Sequence, residues 1–278
     1  MTIADGKLIA EKITGRLKSE VAGMVLKPHL AVVLVGADRP SQTYVRKKRE
    51  AAERIGIRFS EFRFPASIKT DDLVGELKSI QKADLSGIIV QLPLPKGIDK
   101  TKVLNALDPE IDVDYLSWES LGKLVIGENP IVPPTPGAIL EILKYYRIGL
   151  AGKHVVLVGQ GDLIGKPLAN ILVQMPVTLT VCGRNTKNLK SHTRQADILI
   201  TGVGKYDLIR GDMIRPRAVV IDAGVSFKGG KMFGDINFRE VSKKAALATP
   251  TPGGVGPVTV AKLLENVVRT HQRLQGKK

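Results

Sequence analysis

The sequence predicts an α/β fold: two α/β domains with mainly parallel sheets around a cleft. Three observations predict it. Short apolar runs of strand length alternate with longer stretches of helical periodicity, the pattern of parallel strands joined by crossover helices. That pattern stops in a proline- and glycine-rich stretch, IGENPIVPPTPG (126–137), and then restarts. The chain has 278 residues, enough for two cores of ordinary size.

In the first half, residues 4–25 predict an amphipathic helix, because Ile9, Ile13, Leu17 and Val21 recur at helical spacing with charges between them. The run LAVVLV (30–35) predicts a buried strand ended by Gly36. Ser41 is a candidate cap for a helix over 42–55. Residues 58–64 alternate imperfectly and predict a strand. Asp71 and Asp72 open a helix to Lys82, GIIV (87–90) predicts a short strand, and a helix follows over 100–107. The proline-rich stretch reads as a linker or binding loop. A helix over 137–147 comes next.

In the second half, strands are expected at 154–158, 177–182, 197–201 and 218–222, with helical patterns between the first three. They predict a four-stranded βαβ domain. A glycine-rich, hairpin-like stretch runs from 224 to 234. The last helix, 257–275, puts Val260, Leu263, Leu264, Val267 and Val268 on one face. The expected division is a first domain over 1–138, completed by the C-terminal helix 257–278, and a second over 139–256. Ligands of open parallel sheets sit at the strands' carboxyl ends. Functional residues are therefore expected just after Val35, Val90, Val158, Thr201 and Asp222.

Composition narrows the classes. Hydrophobic residues make up 43% and charged residues 25%, ordinary globular proportions. No apolar run approaches the roughly 20 residues of a membrane span, so no membrane partner is expected. The N-terminus carries early acidic residues and no apolar signal core. The lone cysteine, Cys182, leaves no internal disulfide, and a cytoplasmic location is expected. The net charge of +15 attracts polyanions. The basic residues are spread along the chain and do not cluster with aromatics, so no nucleic acid partner is expected. The four histidines are dispersed and lack cysteine partners, so no metal site is expected.

The stretch VVLVGQGDLIGKP (155–167) carries the first chemical signal. Gly159, Gln160 and Gly161 follow a strand, and Pro167 falls in the first turn of the next helix, where its missing N–H costs little. Glycines there let the backbone approach a pyrophosphate at a helix N-terminus, a Rossmann-type NAD(P)-binding arrangement. The spacing is G-x-G-x-x-x-G, so a turn without a ligand stays open. The next strand ends in Cys182-Gly183-Arg184 and offers no acid for a ribose 2′-hydroxyl. Arg184 can pair with a 2′-phosphate, which favours NADP and leaves NAD open. Val225, just past the strand at 218–222, is counted with the cofactor residues.

A second signal is SQTYVRKKRE (41–50). On a helix Tyr44 and Lys48 share a face one turn apart. Basic neighbours and partial burial both depress a lysine's pKa and free a neutral amine to act as a base. A solvated basic face is the plainer alternative. Gln91 directly follows the GIIV strand. Asp112 and Asp114 lie in PEIDVDYL, where turn formation or helix capping would also explain them.

These motifs converge. Ser41-x-x-Tyr44-x-x-x-Lys48, GIIVQLPLP (87–95), DVD (112–114), PTPGAI (134–139), the glycine turn and TPTPGGVGPVTVAKLLEN (249–266) occur together and in order. The chain thereby resembles the bifunctional methylenetetrahydrofolate dehydrogenase/methenyltetrahydrofolate cyclohydrolase family over nearly its whole length. The resemblance implies NADP-dependent oxidation of 5,10-methylenetetrahydrofolate to the methenyl form, then hydrolysis to 10-formyltetrahydrofolate. Such an enzyme serves one-carbon metabolism for purine, histidine and methionine biosynthesis. The resemblance also implies roles. Lys48 is the base of the hydrolytic step, and Gln91 bonds to Lys48 and helps keep it neutral. Tyr44 stacks on the folate, and Asp114 accepts from the pterin. Pro252, Gly253 and Gly254 approach folate and nicotinamide by backbone. The partners it implies are tetrahydrofolate derivatives, polyglutamylated forms included, and a second copy of the chain in a homodimer.

Three departures stand out. Gln160-Gly161 replaces the family's Arg-Ser or small-Ser pair, and Gly183-Arg184 replaces its His-Ser. Tyr115, Trp118 and Ser120 stand where it has glycine, proline and asparagine. Two alternative readings remain. One is another two-domain NAD(P)-dependent dehydrogenase, for a shikimate-like or hydroxy-acid substrate. The other is a basic nucleic-acid-binding protein on a degenerate enzyme fold.

Overall fold

The computed structural model describes residues 1–277. The chain opens with a two-residue strand, β1 (Thr2–Ile3), and helix α1 (Gly6–Ala22). Next come β2 (His29–Val35), α2 (Arg39–Arg54), β3 (Arg58–Phe64), α3 (Thr70–Ile80), β4 (Gly87–Val90), α4 (Lys100–Leu104) and α5 (Trp118–Ile126). After α6 (Pro134–Tyr145) follow β5 (His154–Val158), α7 (Gly165–Val173), β6 (Thr178–Cys182), α8 (Leu189–Thr193), β7 (Ile198–Thr201) and β8 (Val219–Asp222). The chain closes with a hairpin of β9 (Ser226–Lys228) and β10 (Lys231–Phe233), then α9 (Phe238–Val241), β11 (Leu247–Ala248) and α10 (Val255–Gln275).

The elements form two compact units. One comprises Glu11–Pro134 and the chain from Val260 onward. Its three-stranded sheet has the order β3-β2-β4, with both pairings parallel. From Leu30 to Val35, every residue of β2 is buried, as expected of a central parallel strand covered on both faces. Ala31, Val33 and Val35 pack with Leu73, Leu77 and Ile80 of α3 and with Ile88 and Val90 of β4. The chain at 111–113 runs beside β4: Ile88 N–H donates to Ile111 C=O at 2.8 Å, and Ile88 pairs with Asp112 in parallel. Gly87 permits this approach, since a Cβ there would lie 2.8 Å from Val113 Cγ1.

Helix α2 begins three residues earlier than the sequence suggested. Its cap is Asp38, whose carboxylate accepts from Ser41 N–H at 2.9 Å and from the Ser41 hydroxyl at 2.7 Å. Ser41 is thus the donor in the cap and not the cap itself. Helix α5 was not expected. Its signals are local: Ser117 caps its N-terminus, and Gly127 ends it with φ 77°. Helix α6 starts at Pro134, within the expected loop, because proline fits the first turn of a helix.

The other unit comprises Met1–Ala10 and Thr135–Thr259. Its sheet is parallel and six-stranded, β1-β11-β8-β7-β5-β6, where four strands were expected. The two extra strands, β1 and β11, are two residues long and carry no periodicity. Pairing of Thr2 with Leu247 and of Ile3 with Ala248 ties the first ten residues to this unit. The sequence alone assigns them to the first domain, 1–138. Strand β5 lies between β7 and β6, so the connections leaving β5 and β6 run to opposite sides, and a crevice opens at the carboxyl end of β5.

Candidate active site

In the three-stranded unit, α2 carries Tyr44 and Lys48, both half-buried. Lys48 Nζ donates to Gln91 Oε1 at 3.1 Å. Gln91 is held at the carboxyl end of β4 by its own N–H, which donates to Val33 C=O at 2.8 Å. Its Nε2 donates to Leu92 C=O at 2.7 Å, which orients the carbonyl oxygen toward the lysine. Burial pushes the Lys48 ammonium below its ordinary pKa, and the nearby Asp114 carboxylate opposes the shift. Asp114 is pushed up by burial and by Asp112, against the pull of Lys48. Burial also raises the Tyr44 phenol. The register of 111–113 against β4 brings Asp114 to the end where Gln91 stands. The structure therefore brings Lys48, Gln91 and Asp114 together, with Tyr44 one helical turn away.

Asp112 does different work. Its Oδ1 accepts from Tyr115 N–H at 2.9 Å. Its Oδ2 accepts from the N–H groups of Leu116 at 3.0 Å and Ser117 at 2.9 Å, and from the Ser120 hydroxyl at 2.8 Å. It is the buried anchor of the turn that follows Asp114. Tyr115, at φ 63°, occupies a left-handed backbone where the family pattern has glycine. Its ring is buried, its hydroxyl has no hydrogen-bond partner, and its pKa is pushed up to about 12, mainly by burial. The family's asparagine position is Ser120, which bonds Asp112 and Ser117.

In the six-stranded unit the glycine turn sits at the carboxyl end of β5. Gly159 has φ +126°, and a Cβ there would lie 2.7 Å from Gly202 C=O. A Cβ on Gly165 would lie 2.2 Å from Gly159 C=O. Both glycines are required by the protein's own backbone. Gly161 faces open space, so nothing in the protein itself crowds it. After β6, Gly183 N–H donates to Thr186 Oγ1 at 2.8 Å and Thr186 N–H to Gly183 C=O at 3.2 Å. That closed turn leaves Arg184 exposed at its tip.

The loop after β11 holds Pro252, Gly253 and Gly254. Gly253 needs its φ of +105°. At Gly254 a Cβ would lie 2.5 Å from Pro250 C=O, so that glycine answers to the loop itself. Gly6 N–H donates to Gly253 C=O at 3.0 Å and fastens the loop to the N-terminus of α1. Val225 lies exposed past β8.

Two buried acids escaped the sequence reading as site residues. Asp222 accepts from Gly224 N–H at 2.9 Å and Ile236 N–H at 3.1 Å. Burial, with Asp235 adding to it, pushes its pKa up to about 7. Asp235 accepts from the Thr201 hydroxyl and the N–H groups of Val203 and Lys205, each at 2.7 Å. Together they tie down the loops after β7 and β8. The available signal was an acid ending an apolar strand (VVID) and a second acid in GDIN. Among the described residues no group of three or more His, Cys, Asp or Glu could hold a metal ion, and no helix is long and apolar enough to cross a membrane.

One unit with a parallel sheet and a glycine turn at its crevice, and another α/β unit bearing a desolvated lysine, define a two-unit α/β enzyme of the nucleotide-sheet class. Two family models match the chain: the tetrahydrofolate dehydrogenase/cyclohydrolase catalytic domain over residues 4–114, and the NAD(P)-binding domain of the same family over residues 133–275. The chain belongs to the tetrahydrofolate dehydrogenase/cyclohydrolase family. It is 45% identical to the bifunctional protein FolD of Nautilia profundicola, covering 97% of this chain and 96% of that one. It is similar to the crystal structure of the bifunctional FolD from Campylobacter jejuni, with TM-score 0.95, 38% identity and 99% of both chains covered. The Trypanosoma brucei FolD, solved with NADP and an inhibitor, gives TM-score 0.95 at 36% identity, covering 99% of this chain and 98% of that one.

Proposed function

We propose that this protein oxidises 5,10-methylenetetrahydrofolate to 5,10-methenyltetrahydrofolate with NADP and hydrolyses the product to 10-formyltetrahydrofolate. Family membership supports the pair of reactions over both alternative readings. The observation that carries the mechanism is the Lys48–Gln91 hydrogen bond within a desolvated setting.

The residues of the six-stranded unit suit a dinucleotide. The turn at Gly159 packs backbone on backbone, the space at Gly161 is open, and the turn lies at the crevice beside β5. The backbone of Gly159, Gln160 and Gly161 approaches the pyrophosphate, Arg184 meets the 2′-phosphate, and Val225 belongs to the same cofactor site. The bound coenzyme supplies the acceptor for the hydride that leaves the one-carbon bridge of the folate. Pro252, Gly253 and Gly254 bring backbone to the substrate.

In the three-stranded unit Tyr44 stacks on the pterin and Asp114 accepts from it. The methenyl product is a cation, and water adds to its one-carbon centre. In its neutral form, which burial favours, the Lys48 amine takes a proton from that water, and the adduct opens to the formyl product. Gln91 presents a carbonyl oxygen, a neutral acceptor that positions the amine without stabilising its charge as a carboxylate would. Positioned proton transfer of this kind is worth about 10²–10⁴ in rate.

Lys48→Met is the direct test. Hydrolysis of methenyltetrahydrofolate, followed by its absorbance, should fall at least about 100-fold. NADPH binding, followed by fluorescence, should stay within twofold. Retained hydrolysis would overturn the role of Lys48. The reading also includes a cytoplasmic homodimer joined through the cofactor-binding unit. Sedimentation at micromolar concentration should give twice the chain mass.

A further inference from the structure

Gln160 and Gly183 form a complementary pair. A Cβ placed on Gly183 would lie 2.2 Å from Gln160 Oε1, 2.6 Å from its Cδ and 3.1 Å from its Nε2. The Gln160 carboxamide therefore lies against the backbone just past β6, in the space that a side chain at 183 would take. In sheets of this class an acid roughly 20 residues after the glycine turn accepts from the ribose 2′-hydroxyl. That stretch is here Cys182-Gly183-Arg184, and it holds no acid. The side chain missing at 183 is supplied from 160.

We propose that Gln160, seated on Gly183, is the residue that recognises an unphosphorylated ribose, so that this site accepts NAD as well as NADP. The inference rests on the dinucleotide reading of the six-stranded unit. A carboxamide offers an acceptor oxygen to a hydroxyl and N–H donors to a phosphate. Being uncharged, it does not repel a 2′-phosphate as an acid would. Arg184, exposed at the tip of the turn closed by Thr186, is left to meet that phosphate when one is present. The two coenzymes thus share one seat through different side chains.

Fluorescence titration with NADH and NADPH tests this, with no need for turnover. The wild-type protein should bind both. Gln160→Ala, at an exposed position, should weaken NADH about five- to tenfold, the worth of one hydrogen bond, and NADPH less than threefold. Gln160→Glu should swing the preference toward NADH at least tenfold. Gly183→Ala expels the carboxamide and should reproduce the Gln160→Ala effect. In the double variant it should add nothing. The proposal is overturned if the wild-type protein binds NADPH but not NADH. Equal losses of the two coenzymes in Gln160→Ala, or additive losses in the double variant, overturn it too. Binding of both coenzymes in the expected pattern without oxidation of methylenetetrahydrofolate upholds this inference and overturns the proposed function.

Discussion

Lys48 shows how a single side chain acquires chemistry from its setting. Its neighbours in the sequence are basic, yet burial is the largest cause of its depressed pKa, with Asp114 pulling the other way. An active neutral amine is the form that rises with pH, so hydrolysis of methenyltetrahydrofolate should climb as pH increases through the lysine's pKa. Gln91→Glu places an anion 3.1 Å from Nζ in place of a neutral oxygen. The ammonium is then favoured, and the rising limb should move up by about 1–3 pH units. A limb that stays in place would show that Lys48 is not the titrating group. Tyr115 makes the opposite point, that a departure from a family pattern can be absorbed by packing. Its buried hydroxyl has no partner, a cost of about 1–3 kcal/mol. Tyr115→Phe should therefore raise stability by about 1 kcal/mol in urea denaturation. Tyr115→Gly would relax the left-handed backbone, worth about 1–2 kcal/mol. It also removes a buried ring worth about 3–5 kcal/mol, so it should destabilise on balance.

At the scale of elements, position is set by backbone accounting. The stretch 111–114 reads in the sequence as a loop with two acids, but its backbone at Asp112 pairs with the edge of β4. Asn266 on α10 donates to Val113 C=O at 3.1 Å and to Val132 C=O at 2.8 Å, locking the stretch from the other side. The two aspartates of DVD are thereby divided, Asp112 gathering backbone N–H groups and Asp114 reaching the lysine. Asp112→Ala leaves the buried N–H groups of Leu116 and Ser117 and the Ser120 hydroxyl without their acceptor and should cost at least about 3 kcal/mol. It should also raise the KM for folate more than it lowers kcat, because Asp114 loses its footing. An unchanged KM at full stability would separate the two aspartates altogether. The strands at β2, β4 and β5 were legible because apolar runs of four to six residues have few other uses in a parallel sheet. Tyr44 and Lys48 stood out because they share a helix face and Gln91 because it stands at a strand end, whereas Asp114 was singled out through the family resemblance. What escaped was short or tertiary in origin. The two-residue strands β1 and β11 exist only through pairing. Helix α5 is only nine residues long and is announced chiefly by its cap and its stop. The glycines at 165, 183 and 202 answer to atoms that are distant in sequence or brought close by the turn.

At the scale of the whole molecule the dominant fact is the net charge of +15. Many of the basic side chains are engaged locally. Arg16 and Arg269, for example, pair with Glu20 and Glu265 where α1 meets α10 within the three-stranded unit. Such pairs do not change the net charge. The excess is left to act at long range. Folates carry a negative charge on every glutamate of the tail, and the coenzyme is a multianion as well, so each encounter is between opposite charges. Steering of this sort raises association rates by roughly 10–10³-fold at low salt and fades as the Debye length falls from about 10 Å at 0.1 M to 3 Å at 1 M. It acts on the approach of the substrate and leaves the chemical step alone. The dehydrogenase kcat/KM should therefore fall at least about threefold between 0.05 and 0.5 M salt, while kcat moves far less. The slope should steepen with each added glutamate, because the steering energy scales with the charge being steered. A kcat/KM that ignores salt, or a slope indifferent to tail length, would mean that the positive surface serves some purpose other than gathering this substrate.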